Sequence, residues 1–185
     1  AQLFKPPCIA NAVQFRMAVW EEHIMNIKNQ ELGLDDFEQD IPALGPFDAS
    51  DIARGICRYL RNLGYSPLTE FKLLSRRRVD VIGLNKAGQF IIVEIKSSVA
   101  DFRSDEKWHE YLPFADQMYF AVANGFPLEL LPEECGIMIA DAYNAAVIRD
   151  VPVKKLNAAR RRTQIVRYAK TAADRLHRLN DPNRR

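Results

Sequence analysis

Two apolar segments separated by a short turn constrain this chain more than any other feature. Residues 79–84 and 90–96 are rich in Val, Ile and Phe, and the turn between them at 85–89 contains Gly88. That pattern predicts two strands joined as a hairpin. Side chains alternate faces along a strand, so Glu94 and Lys96 project together while Val93 and Ile95 point away. The simplest register pairs Leu84 with Phe90 and Ile82 with Ile92, which sets Asp80 opposite Glu94. A slip of one residue would throw one carboxylate to the other face.

Charges embedded in such apolar strands are unfavourable unless they are paired or ligating. Two carboxylates about 4 Å apart repel by roughly 4 kcal/mol at an effective dielectric near 20. A bound cation, a nearby ammonium or a shared proton must offset this. Lys96 lies one residue pair further along the same face, roughly 7 Å by strand rise, and offsets it only in part. A hard divalent ion does better, because Mg²⁺ binds through one or two carboxylates and keeps water and phosphate as its other ligands. Asp80 and Glu94 are therefore candidate metal ligands, and Lys96 a candidate catalytic lysine that orients or deprotonates a water or neutralises a developing phosphorane. The alternative is an ordinary ion pair, since a lone Glu-x-Lys on a strand has no catalytic meaning.

The rest of the chain frames this hairpin. Residues 1–47 mix an apolar patch at 12–20 with an acidic stretch at 31–40 and read as a poorly committed N-terminal extension. From Asp48 onward, Asp48 or Ser50 caps a helix in which Ile52, Ile56, Tyr59, Leu60 and Leu63 recur at helical spacing, and Gly64 ends it. A strand follows at 68–73, then a basic turn at 75–78 and the hairpin. A helix opened by Asp101 or Ser104 is expected to carry Trp108, Tyr111 and Leu112 on a core-facing side; further strands are expected at 117–123, 136–140 and 145–151. A basic amphipathic helix at 156–179 has Ile165, Ala169, Ala172, Leu176 and Leu179 on one side. The order predicts an α/β fold, a mixed sheet flanked by helices, with one domain over 48–185.

Charge and cysteine usage narrow the function classes. From Lys154 onward eleven Lys/Arg face two Asp, a net +9, which leaves −7 for the remainder of a chain whose total is +2. A basic segment on an acidic body suits a polyanion partner or a solvated helix tethered to the acidic body. No apolar run is long enough to span a bilayer, and Cys8, Cys57 and Cys135 show no zinc or disulfide spacing, so a reducing cytoplasm is expected. His23, His109 and His177 have no partners at ligand spacing, and Cys57 and Cys135 read as small core residues.

With these residues in place, the chain resembles the PD-(D/E)XK nuclease superfamily and, more closely, the MmcB-like bacterial DNA repair family. The resemblance rests on Asp80 followed by Glu94-Ile95-Lys96, on Ala53-Arg54-Gly55, on Leu68-Thr69-Glu70-Phe71, on Tyr111-Leu112-Pro113 and on Tyr119-Phe120-Ala121-Val122. It implies a restriction-endonuclease-like core, a role in repair of DNA damage, and Mg²⁺ (or Mn²⁺ in its place) held by Asp80 and Glu94 beside the catalytic Lys96. Val79 stands where the superfamily pattern has Pro. The further acid that many such nucleases take from the first helix has only Asp51 there, and Glu70 on the first strand is the better-placed substitute.

The implied partner is DNA, duplex or damaged and branched, in a bacterial cytoplasm at the nucleoid. A homodimer stays open, and so does the identity of any protein partner. Arg76, Arg77 and Arg78 before the Asp80 strand are candidates to hold phosphates, as are Arg160, Arg161 and Arg167 on the basic helix. The function expected is a Mg²⁺-dependent DNA endonuclease; the rivals are a non-catalytic DNA-binding repair accessory and an RNA-directed nuclease.

Overall fold

The computed structural model describes residues 48–105 and 107–182. The N-terminal extension read at 1–47 lies outside them. Helix α1 (Ala49–Asn62) starts where Asp48 caps it, the Asp48 carboxylate accepting the Asp51 amide at 2.8 Å. Ile52, Ile56, Tyr59 and Leu60 are its buried face, and Gly64 leaves it at φ +82°.

Six strands follow: β1 (Tyr65–Lys72), β2 (Arg78–Asn85), β3 (Phe90–Lys96), β4 (Gln117–Val122), β5 (Gly136–Ala140) and β6 (Ala145–Arg149). They form one mixed sheet in sequence order, antiparallel from β1 to β3, parallel from β3 through β5, and antiparallel again at β6. The hairpin has the expected register, Leu84 opposite Phe90 and Ile82 opposite Ile92. Its turn is closed by Asn85, whose side-chain oxygen accepts the amides of Ala87 and Gln89.

Pleat alternation sorts the core into two faces. Phe90, Ile92, Met118 and Phe120 pack with Trp108, Tyr111, Leu131 and Tyr168 in one cluster. Ile91, Val93, Tyr119 and Ala121, of the other parity, are fully buried on the side that α1 covers. Glu94 and Lys96 continue the parity of Phe90 and Ile92, so they open on the face opposite α1.

The helix expected to carry Trp108 and Tyr111 differs. Helix α2 (Val99–Ser104) is capped by Ser98 and stops before Asp105, which is extended at φ −106° and ψ 92°. The Asp105 carboxylate accepts the Lys107 amide at 3.0 Å, and this turn takes the backbone out of the helix. Trp108 sits on a 3₁₀ turn, Trp108–Glu110, and Tyr111 lies between it and a second, Leu112–Phe114. Both rings are core residues as expected, Trp108 meeting Phe120 edge-on at 5.7 Å.

Helix α3 (Ala158–Asn180) is capped by Asn157. Its packing side is only partly the apolar one read from the sequence: Ile165 packs against the core, but Leu176 and Leu179 are exposed, while Gln164 and Tyr168 are buried. The reason is the surface it meets. The Tyr168 hydroxyl donates to the Ser66 carbonyl, Arg167 to Lys72 O at 2.7 Å, and Arg175 to Thr69 O and Glu70 O at 2.7 and 2.9 Å. The outward carbonyls of edge strand β1 call for donors, so polar side chains share the docking with Ile165 and with the Tyr168 ring, which meets Phe71 and Phe90.

Arg161 fixes the start of α3. Both its terminal nitrogens reach the buried Asp116, at 2.9 and 2.6 Å, and Asp116 also accepts the amides of Phe90 and Leu156. Burial pushes the Asp116 carboxyl up, but the Arg161 guanidinium and the two amides together hold it below the ordinary carboxylate range. A depressed carboxyl stabilises the fold above its unfolded pKa, and that contribution fades as pH falls through the folded value. Arg161→Met leaves Asp116 buried without a counter-charge, held by the two amides alone, which is expected to cost about 3 kcal/mol at pH 7. The loss should shrink towards pH 4 as Asp116 takes up a proton, and urea midpoints at the two pH values check it.

Candidate active site

Asp80 occupies a break in two hydrogen-bond ladders. On the β1 side, Thr69 pairs with Val81 and Phe71 with Val79, while Glu70 between them takes φ +50° and drops out opposite Asp80. On the β3 side the paired rungs run from Leu84–Phe90 to Val81–Val93. Beyond that point side chains stand in for the rungs. The Asp80 carboxylate accepts the Ile95 amide at 2.7 Å, and the Asp80 backbone amide exerts a small downward pull on the Glu94 carboxyl. Asp80 is thus tied to the β3 backbone next to Glu94, which holds it at the open end of the hairpin.

Lys96 completes the group. Its ammonium lies 3.8 Å from Glu94 Oε1 and 2.5 Å from Asp105 Oδ2. The side chains of Lys96 and Glu94 are only 4% and 7% exposed. Glu94 Oε2 is buried and has no hydrogen-bond partner. Burial first, then the Asp80 charge, push the Glu94 carboxyl up to about 8 against the pull of Lys96. Burial likewise raises Asp80, opposed by the Ile95 amide and by Lys96. For Asp105 burial works upward too, but the Lys96 hydrogen bond and the Lys107 amide prevail and lower it.

This donor set fits a hard divalent cation. Two adjoining carboxylates are held in a state that favours protons, and one oxygen has nothing to bind; a cation supplies what both lack. Among the described residues no group of three His, Cys, Asp or Glu gathers at metal-ligating geometry. Mg²⁺ does not require one, since it commonly uses one or two carboxylates with water and substrate oxygens.

Of the residues read from the sequence, Asp80, Glu94 and Lys96 come together. Glu70 stands beside them: its charge raises Asp80, while its own carboxylate is more than half exposed and meets Arg78 at 2.7 Å. Asp51, on the opposite face, pairs with Arg54. The arginine run is dispersed. Arg76 is exposed at the turn with φ +69°, Arg77 makes two 2.8 Å bonds to Glu110, and Arg78 holds Glu70. On α3, Arg160 is exposed over the Phe114 ring and Arg167 bonds β1, while Arg161 is committed to Asp116. Asp105 was missed, because no residue spacing links it to Lys96; only the fold-back of α2 does. Tyr111 was read as core and also walls the site: burial, then the charges of Glu94, Asp105 and Asp80, raise its hydroxyl.

A six-stranded mixed sheet with helices on both faces, bearing an acid pair and a lysine where a hairpin opens, defines an α/β protein with a polar centre at its strand ends. A family model described as DNA repair protein MmcB-like matches residues 45–183. The chain belongs to the MmcB-like family, and its role lies in DNA repair. Among solved structures it is similar to the SPO1766 protein of unknown function from Silicibacter pomeroyi, with 44% identity and a TM-score of 0.71, over 77% of this chain and 97% of that one. No curated protein matches it. No described helix is long and apolar enough to cross a membrane.

Proposed function

We propose that this chain is a divalent-cation-dependent DNA hydrolase of the PD-(D/E)XK type, acting in repair. The observation that carries the reading is the unpartnered, buried Glu94 Oε2 on a carboxylate that feels the Asp80 charge and is flanked by Lys96. Asp80 and Glu94 would hold Mg²⁺ or Mn²⁺. Such an ion, when bound, acidifies a coordinated water and offsets charge building on a phosphodiester. Lys96, an ammonium kept within 3.8 Å of Glu94, orients the attacking water or neutralises the phosphorane. Burial keeps bulk water from screening these charges.

DNA supplies the phosphodiester, in keeping with the family's repair role and with the net +9 carried from Lys154 onward. Arg76, Arg160 and Arg167 are exposed enough to meet phosphates while resting against the fold. A protein so bound would sit with the nucleoid. The test is cleavage of duplex, nicked and branched DNA with Mg²⁺ or Mn²⁺. Asp80→Ala or Lys96→Ala is expected to lower the rate by about 10³-fold or more with DNA binding retained. Absence of cleavage on every substrate with either ion overturns the reading.

One observation favours a second reading. With Lys96 and Glu94 nearly closed to solvent and the ammonium bonded to Asp105, the cluster also suits a structural ion group inside a DNA-binding accessory. That protein would bind DNA, cut nothing, and lose stability rather than activity in the same variants.

A further inference from the structure

The buried ammonium of Lys96 has two acids within reach and lies much nearer to one. Asp105 Oδ2 is 2.5 Å away and Glu94 Oε1 3.8 Å. Asp105 reaches this position only because α2 is short. Ser98 caps the helix, and the Asp101 carboxylate folds back onto the amide and hydroxyl of Ser97, so the chain leaving Lys96 doubles over it. The second Asp105 oxygen accepts the Lys107 amide at 3.0 Å, which fixes the carboxylate on its own turn.

We propose that Asp105 is a positioning residue: it draws the Lys96 ammonium away from Glu94 and thereby keeps Glu94 Oε2 free to receive a divalent cation. The inference rests on the cation site proposed above and adds the device that keeps it open. Without Asp105, the ammonium is a side-chain rotation from a carboxylate that has an unpartnered oxygen. A buried ammonium takes the nearest acid, so Lys96 would close on Glu94 and compete with the cation for it. Asp105 is no ligand in this arrangement. Its effect passes through Lys96, which distinguishes it from Asp80 and Glu94.

The experiment is calorimetric titration of Mn²⁺ into the full chain without DNA, for the wild type, Asp105→Ala, Asp105→Asn, Lys96→Met, and Lys96→Met combined with Asp105→Ala. Circular dichroism confirms folding of each. Asp105→Ala and Asp105→Asn are expected to weaken binding at least tenfold. The double variant is expected to return to the affinity of Lys96→Met alone, because no ammonium is left to occupy Glu94. Asp105→Ala binding as the wild type overturns the proposal. So does a double variant as weak as Asp105→Ala, which would make Asp105 a ligand or a simple source of negative charge. A wild type that binds no divalent ion overturns the cation site itself, and this proposal with it. In cleavage assays the variants that keep Lys96 should lose activity in the order of their Mn²⁺ affinities, whereas Lys96→Met and the double variant bind the ion and do not cut.

Discussion

Glu94→Gln is expected to make the cation-free protein more stable while removing divalent-cation binding and, with it, DNA cleavage by about 10³-fold. Burial and the neighbouring Asp80 push this carboxyl up to about 8. A folded-state value above the unfolded one means that the unfolded chain gives up its proton first as pH rises. Stability is therefore full at acid pH, falls from about pH 4.5 upward, and has lost the whole contribution once pH passes the folded value. Gln stays neutral throughout, so the variant escapes the loss. The gain should be near zero at pH 5 and on the order of 3 kcal/mol at pH 9, about 10 °C in Tm for a domain of this size. Scanning calorimetry in chelator at the two pH values measures it. Added Mn²⁺ should raise the Tm of the wild type alone. A variant less stable than the wild type at pH 9 in chelator would show that Glu94 is held by partners rather than merely confined.

Gly55→Ala is expected to do the reverse of what such a change does in an exposed helix. There Ala gains about 1 kcal/mol over Gly. Here a Cβ would lie 2.0 Å from the Asp141 carbonyl oxygen and 2.8 Å from that of Asn144. The obstacle is backbone, in a β5–β6 turn braced from inside and outside. Asp141 accepts the amides of Tyr143 and Asn144, and Arg54 and Arg58 both donate to Ala142 O. Neither partner can give, so the helix must lift off the sheet, with an expected loss of about 3 kcal/mol or more. A fall in soluble yield and in urea midpoint, with DNA affinity per folded molecule unchanged, is the result to look for.

The hairpin register was legible because period-two alternation and a short turn leave little choice, and the same parity brought Asp80, Glu94 and Lys96 to one face. What happens where the ladder ends was not legible. The Asp80 carboxylate takes the place of a backbone rung, and Glu70 opposite it turns to positive φ; no residue pattern announces either. Helical spacing of Trp108, Tyr111 and Leu112 suggested a helix, yet a single side-chain bond at Asp105 diverts the chain first. On α3 the apolar stripe held only at Ile165: further along, the helix meets the carbonyls of an edge strand, which donors satisfy and Leu176 and Leu179 do not. The consecutive arginines looked like one positive patch, but Arg77 and Arg78 each bind a separate acid.

Strands β3 and β4 run parallel, so residues 97–116 must carry the chain back along the sheet before β4 can begin. That return path lies over the acids, bringing Tyr111 beside them and Asp105 onto Lys96. Floor and ceiling of the centre therefore tolerate change differently. The floor is pinned by the register of three strands, whereas the ceiling is a connection of the kind that accepts insertion. Rebuilding that connection would alter what reaches the centre, and each rebuilding would also move the acid proposed to steer the lysine. If the proposed cation site is as placed above, variants of this connection should for that reason change selectivity and ion affinity together.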